Sequence, residues 1–143
     1  MSAIPPLPHH ICFALYSANL AMAAAYKRLL DPLGLTYPQF ITLITLWKKD
    51  SQTVGEIGRQ LYLETNTLTP LLKRLEVMGL ITRQRDTADE RQVRISLTAM
   101  GQQMEHRADT IPGCIMSATG LTVGDLTMLT TSIASLRDQL LTA

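Results

Sequence analysis

The 143-residue chain, 46% hydrophobic, is long enough for one domain with its own core, which excludes wholesale disorder and any need for structural disulfides or metals. No apolar run approaches the ~20 residues of a spanning helix, and no basic segment leads into a long apolar one, so neither a membrane span nor a signal peptide is expected. The formal net charge is only +1, so a nucleic-acid partner would have to be met by local charge. The expected compartment is the cytoplasm, where the two cysteines, Cys12 and Cys114, are normally reduced and any bridge between them is conditional.

Met1 to Leu7 is Pro-rich and reads as frayed. Pro8 can open a helix, because its missing N–H is not needed there. From His9 to Leu30 the pattern is helical. One stripe is Ile11, Leu15, Ala18, Met22, Ala25 and Leu29; a second is Cys12, Tyr16, Asn19, Ala23, Tyr26 and Leu30. Asp31-Pro32 and Gly34 stop this helix, and another is expected from about Pro38 to Lys49. Asp50-Ser51 is a turn. Thr53 and Glu56 have the spacing of a capping box, which starts a short helix to about Gln60. The next helix starts near Thr65–Thr67 and ends at Gly79, with Pro70 placed within or near its first turn.

Residues 80–85 and 92–97 alternate with period two around the polar stretch Asp86–Arg91, which predicts a hairpin with a charged tip. Thr98 caps a further helix, interrupted around Pro112-Gly113. Thr122 with Asp125 caps a last helix to about Leu141. The fold expected is therefore mainly α with a small β-hairpin wing: a winged helix-turn-helix flanked by long helices. Residues 1–143 make one domain, with 37–98 as the reader and 8–36 and 99–143 as dimerisation helices. The apolar stripes of the flanking helices exceed what the small reader can cover and call for a second copy.

Lys73, Arg74, Arg83, Arg85, Arg91 and Arg94 place six of the thirteen basic residues within 22 positions, interleaved with Glu76, Asp86, Asp89 and Glu90. In the helix expected from Thr65–Thr67 to Gly79, Leu68, Leu71, Leu72 and Leu75 form an apolar face. Thr65, Asn66, Thr67, Thr69, Pro70, Lys73 and Arg74 lie on or beside the other. Short hydroxyls and an amide at such a helix start suit base edges, and Lys or Arg suits phosphates. Taken alone, this pattern equally fits an ordinary amphipathic surface helix. The adjoining hairpin favours double-stranded DNA as partner. Arg85, Arg91 and Arg94 supply positive charge, an Arg at the tip can enter a narrow minor groove, and Asp89 can pair with a nearby strand Arg and hold it.

Cys12 falls in the opening turns of the first helix, where the positive end of the macrodipole favours a thiolate. Tyr16 is one turn away and can touch it. Tyr26 is fourteen residues on, about 21 Å at 1.5 Å per residue, beyond reach within one straight helix. It can approach Cys12 only from a partner whose first helix packs antiparallel, and Tyr37 can join it. Phenol donors around a thiolate stabilise it and orient a peroxide. On spacing alone the plainer reading is that Cys12 is a small buried apolar residue and the tyrosines are interface packing. His9 and His10 read as solvated residues at the helix start, no metal-ligand spacing or phosphate loop is legible, and no cofactor is expected. No Arg or Lys falls between Met1 and Ala25, which argues against a local peroxidase arrangement and against an enzyme.

These residues resemble the multiple-antibiotic-resistance regulator (MarR) family, and within it the organic hydroperoxide resistance regulators. The matching segments are CFALY (12–16), YKRLLDPLGLTYPQ (26–39), TLTPLLKRLE (67–76) and DERQVR (89–94). The resemblance covers residues 9–112 closely and the last helix loosely. The reader and wing segments specify the broad family; CFALY and TYPQ specify the peroxide-sensing branch. It implies a homodimeric repressor of a peroxide-detoxifying gene that binds a pseudo-palindromic operator. Organic hydroperoxides would oxidise Cys12 to a sulfenic acid and release DNA, and Tyr26 and Tyr37 would come from the partner subunit. In two-cysteine members the resolving cysteine stands where this chain has Ser117, three residues after Cys114. Cys114 can share a helix face with that position and resolve Cys12, or a small thiol can cap Cys12 instead. Asn66 replaces the family's common Gly and is expected to alter operator preference. The alternative within the same fold is release by a small phenolic ligand.

Overall fold

The computed structural model describes residues 2–143. Met1, the first residue of the stretch expected to fray, lies outside them. The described chain forms two compact units, one running to Asp109 and the other covering Thr110–Ala143.

In the first unit a 3-10 turn, Leu7–His9, precedes helix α1, Ile11–Leu30. Pro8 thus belongs to that turn, and α1 starts at Ile11, where its first apolar stripe begins, rather than at His9. His10 is not simply solvated: its Nε2 lies 2.8 Å from the Pro5 carbonyl, which can only accept, so this nitrogen carries the proton. A 3-10 turn over Asp31–Leu33 and left-handed Gly34 (φ 71°) reverse the chain. Helix α2, Tyr37–Lys48, opens on a capping box in which Thr36 Oγ1 accepts from Gln39 N–H and Gln39 Oε1 accepts from Thr36 N–H.

Ser51, at φ 58°, makes the expected turn. Strand β1, Gln52–Thr53, follows, then helix α3, Val54–Leu61, and helix α4, Thr65–Val77. Strands β2, Ile81–Arg85, and β3, Val93–Leu97, form the hairpin. The sheet is antiparallel in the order β1-β3-β2, with Ile81 opposite Leu97 and Gln52 opposite Ile95. Strand β1 was not expected from the sequence, because its two residues carry no periodicity.

The core of this unit draws on every helix around the sheet: Leu43, Leu46, Ile57, Leu68, Leu75 and Ile95 are fully buried. Each such side chain contributes roughly 1.5–3 kcal/mol through burial. Buried Gln52 donates from Nε2 to the carbonyls of Thr45 (3.0 Å) and Lys49 (2.5 Å), while its Oε1 accepts from Gln60 (2.6 Å). No buried side-chain polar atom lacks a hydrogen bond among the described residues. At Gly101, in helix α5 (Ala99–Ala108), a Cβ would come within 2.0 Å of the Leu80 carbonyl, so only glycine lets α5 approach the start of the hairpin. Trp47 closes the same corner by donating to the Gly101 carbonyl at 2.9 Å.

The second unit holds helices α6, Ile111–Ala118, and α7, Val123–Leu141. Pro112 sits in the first turn of α6 and Gly113 within it, so the pair opens a helix rather than interrupting one. The break falls at Asp109-Thr110 instead. Thr122 caps α7 by accepting from Asp125 N–H at 3.1 Å. No helix among the described residues is long and apolar enough to cross a membrane.

Candidate functional site

The reader is assembled by short-range rules. Thr53 and Glu56 form the reciprocal capping box that starts α3, at 3.0 and 3.2 Å. Tyr62 takes a left-handed conformation (φ 58°) to end it. At Gly58 a Cβ would meet the Leu63 carbonyl at 2.8 Å, so glycine sets how tightly the turn folds back before α4. Helix α4 buries Leu68, Leu72 and Leu75 and ends in a Schellman arrangement: Leu80 N–H donates to Leu75 C=O (3.1 Å) and left-handed Gly79 N–H to Glu76 C=O (2.9 Å).

Thr65, Asn66, Thr67, Pro70, Lys73 and Arg74 are exposed on α4, with Thr69 half-buried among them. Thr69 Oγ1 donates to the Thr65 carbonyl at 2.8 Å. Pro70 is the sixth helical residue, inside α4 and beyond its first turn. Having no N–H, it leaves the Asn66 carbonyl without its usual helical donor.

The wing presents a tied tip. Asp89 Oδ1 accepts from the backbone N–H and Nε of Arg91, both at 3.1 Å, and Oδ2 accepts from Nη2 at 3.3 Å. The side-chain bond to Arg91, then the backbone one, holds the Asp89 carboxyl below the usual range. The Arg91 side chain is 90% exposed and held in one direction by this fork. The partner of Asp89 is therefore the tip arginine itself and not a strand arginine. Arg85 donates to the Glu90 carbonyl at 2.9 Å. Arg94, expected at the DNA surface, commits its guanidinium within the chain: Nη1 donates to the Ser51 carbonyl at 2.7 Å, and Nε lies 3.5 Å from Asp86. Arg83 is likewise tied to Glu76 at 3.2 Å. Between α3, α4 and the wing lies a groove of about 310 Å³ lined by Thr65, Thr69, Arg91 and also Arg59, a cation that no sequence pattern singled out.

Cys12 is the second residue of α1, and its side chain is exposed, as is Tyr16 one turn on. In this chain Cys12 is therefore not the buried apolar residue that spacing alone suggested. Tyr26 and Tyr37 come together at the far end of α1, ring centroids 4.6 Å apart, with Phe40 6.1 Å from Tyr26. Burial, and then the neighbouring Tyr37, raise the Tyr26 phenol above its ordinary value, so it stays a hydrogen-bond donor through neutral pH. The two rings line a cavity of about 250 Å³ with Ala23, Leu30, Leu35 and Thr36, rimmed by the exposed Lys27–Asp31 ion pair at 2.9 Å. Cys114 is exposed within α6, in the other compact unit. No three or more His, Cys, Asp or Glu side chains cluster for a metal among the described residues.

Residues 24–108 match the family described as transcriptional regulator SarA/Rot. The chain is 44% identical to the organic hydroperoxide resistance transcriptional regulator of Bacillus subtilis over 94% of its own length and 91% of the relative's. The chain belongs to the MarR-like family of winged-helix transcriptional regulators. Among solved structures, reduced AbfR bound to DNA is similar at 36% identity and a TM-score of 0.79, with 92% of this chain and 91% of that one covered. Disulfide-formed AbfR is similar at 37% identity and a TM-score of 0.64, with 91% and 86% covered. AbfR is a Staphylococcus epidermidis protein. For this regulator the exposed face of α4 and the wing tip are thus the DNA-facing candidates of a known reader fold.

Proposed function

We propose that this regulator is a thiol-switched repressor: a cytoplasmic homodimer that holds a pseudo-palindromic operator while Cys12 is reduced and releases it when an organic hydroperoxide oxidises that thiol. The observation that carries the reading is the separation of thiol and donors. Cys12 is exposed at the start of α1, and the Tyr26–Tyr37 pair lies at its opposite end, about 21 Å along the helix. One chain holds both halves of a thiolate site and cannot join them; a second chain with an antiparallel α1 can. The relatives' printed names, a hydroperoxide resistance regulator and a DNA-binding protein with a disulfide form, support the same reading.

In the proposed step the Cys12 thiolate attacks the terminal peroxide oxygen and the O–O bond breaks. The alkoxide leaves and takes a proton to become an alcohol, and Cys12 becomes a sulfenic acid, oxidised by two electrons as the peroxide is reduced. Tyr16 from the same chain, with Tyr26 and Tyr37 from the partner, would donate to the thiolate and orient the peroxide. Cys114 would then form an intersubunit disulfide, or a small thiol would cap Cys12. On the DNA side Thr65, Asn66, Thr67 and Thr69 would reach base edges, with Pro70 beside them. Lys73 and Arg74 would meet phosphates, and Arg91, held by Asp89 and flanked by Arg85, would enter the minor groove. Arg94 would act through the fold by anchoring the wing. The gene derepressed would encode a peroxide-detoxifying protein.

Peptide mass mapping after one equivalent of cumene hydroperoxide tests the chemistry. Modification at Cys12, as sulfenic acid, a Cys12–Cys114 bridge or a mixed disulfide, supports the reading. An unmodified Cys12 in protein that has released its DNA contradicts it. The cavity beneath Tyr26 and Tyr37, apolar with a cation at its rim, favours a second reading, in which a phenolic ligand releases DNA. Release by such a ligand from Cys12→Ser protein would select it.

A further inference from the structure

The groove between α3, α4 and the wing contains a cation that the fold leaves uncompensated. Arg59 is exposed in the last turn of α3, yet its guanidinium folds back over the first turn, where a Cβ on Gly55 would meet Nη1 at 3.6 Å. That is the positive end of the helix dipole, an unfavourable place for a cation. Among the described residues no carboxylate pairs with Arg59. Glu56 shares the groove, but its carboxylate accepts from Thr53 N–H to close the capping box. The other arginines nearby are engaged: Arg83 with Glu76, Arg91 with Asp89 and Arg94 with Asp86 and Ser51. The groove's walls also include Thr65 and Thr69 from α4 and Arg91 from the wing tip.

We propose that Arg59 is a DNA-backbone contact, its guanidinium taking a phosphodiester of the strand that crosses between the recognition helix and the wing. The inference rests on the DNA reading of this surface and deepens it. An anion there gains the Arg59 charge and the α3 dipole together, and relieves the unfavourable placement of the cation. The first helix of such readers crosses the DNA backbone, and this is the face of α3 that lines the groove. The contact carries no sequence information, so it should add affinity for every duplex alike.

The test uses the full-length protein and a fluorescein-labelled duplex selected by the wild-type protein from a random-sequence pool. Arg59→Ala should weaken binding about fivefold to tenfold, equally for the selected and for an unrelated duplex. The slope of log affinity against log salt should become shallower by about 0.9 for each phosphate that the variant no longer neutralises. Arg59→Lys should restore most of the slope, and melting of all three proteins should coincide because Arg59 is exposed. An unchanged slope in Arg59→Ala overturns this assignment alone. Failure of the wild-type protein to select or retain any duplex overturns the DNA reading and the assignment with it. Melting temperatures in inorganic phosphate and in chloride at equal ionic strength separate a second source of the anion. Stabilisation by phosphate that depends on Arg59, with an unchanged DNA slope, would mean a free-anion site and would also overturn the proposal.

Discussion

The winged-helix lobe and the long terminal helices are built to different standards of completeness. In the lobe Leu68, Leu75, Ile57 and Ile95 have no accessible surface, and the arginines of the hairpin are tied within the chain. On α1, by contrast, Ile11, Tyr16, Leu20 and Met22 lie exposed, and α7 exposes Met128, Leu129, Ile133 and Leu140. Apolar faces of this extent on two helices are the surfaces that a second chain would cover in the homodimer we propose. The lobe is thus finished by one chain, whereas the sensor we propose is finished only by two. That would couple the chemistry of Cys12 to the spacing of two readers.

The largest expected effect strikes the complete region. Leu75→Ala should cost about 2–5 kcal/mol of unfolding free energy, read by urea denaturation, because the packed lobe collapses only partly around the cavity. A cost below about 1 kcal/mol would mean that the lobe is looser than its burial implies. The next strikes the unfinished region. Ile133→Asp on α7 should leave far-UV circular dichroism intact and convert the dimer to monomer in sedimentation at micromolar concentration. A dimer that survives would move the interface elsewhere.

Tyr26→Phe removes one donor and keeps the ring, so it should slow Cys12 oxidation about tenfold, the cost of one hydrogen bond to a charged group, without altering DNA affinity. An unchanged rate would take Tyr26 out of the thiol site. The wild-type phenol supplies a pH check. Because its folded value is raised, its contribution is present below the unfolded value of about 10 and disappears as pH rises through the higher folded value. Ultraviolet titration should therefore show a tyrosine that ionises above the ordinary phenol range.

The smallest effect concerns the wing tip. Asp89 has a lowered folded value, so its contribution is present above the ordinary carboxylate range and disappears only as pH falls through the depressed value. DNA affinity should not change through this group between about pH 5 and 8. Asp89→Asn should lower the affinity a few-fold by freeing Arg91. Equal affinity would show that the fork does not position the arginine.

How far the sequence was legible depended on the range of each interaction. The Thr53–Glu56 box, the Thr98 and Thr122 caps, the Gly79 helix end and the hairpin were all readable, because each depends on neighbours within a few positions. The Thr36–Gln39 box is equally local and carries the same signal, but Pro38 drew the helix start past it. Arg94 and Arg59 were not legible. The partner of Arg94 is the Ser51 carbonyl, 43 residues away, and the surroundings of Arg59 are made by three elements that meet only in the folded chain. Basic residues near a reader look alike in sequence; tertiary contacts divide those tied within the chain, such as Arg94, from Arg59, which has no carboxylate partner among the described residues. The same limit applies to Cys12, whose exposure within one chain could not be read from a stripe containing both it and Tyr26.

The most direct test follows one fluorescein-labelled duplex, selected by the reduced protein, through reduction, treatment with one equivalent of cumene hydroperoxide, and renewed reduction with dithiothreitol. The account predicts that anisotropy falls to that of free DNA on oxidation and recovers on reduction, and that Cys12→Ser protein binds throughout. Wild-type protein with Cys12 demonstrably oxidised and its DNA affinity unchanged would contradict it.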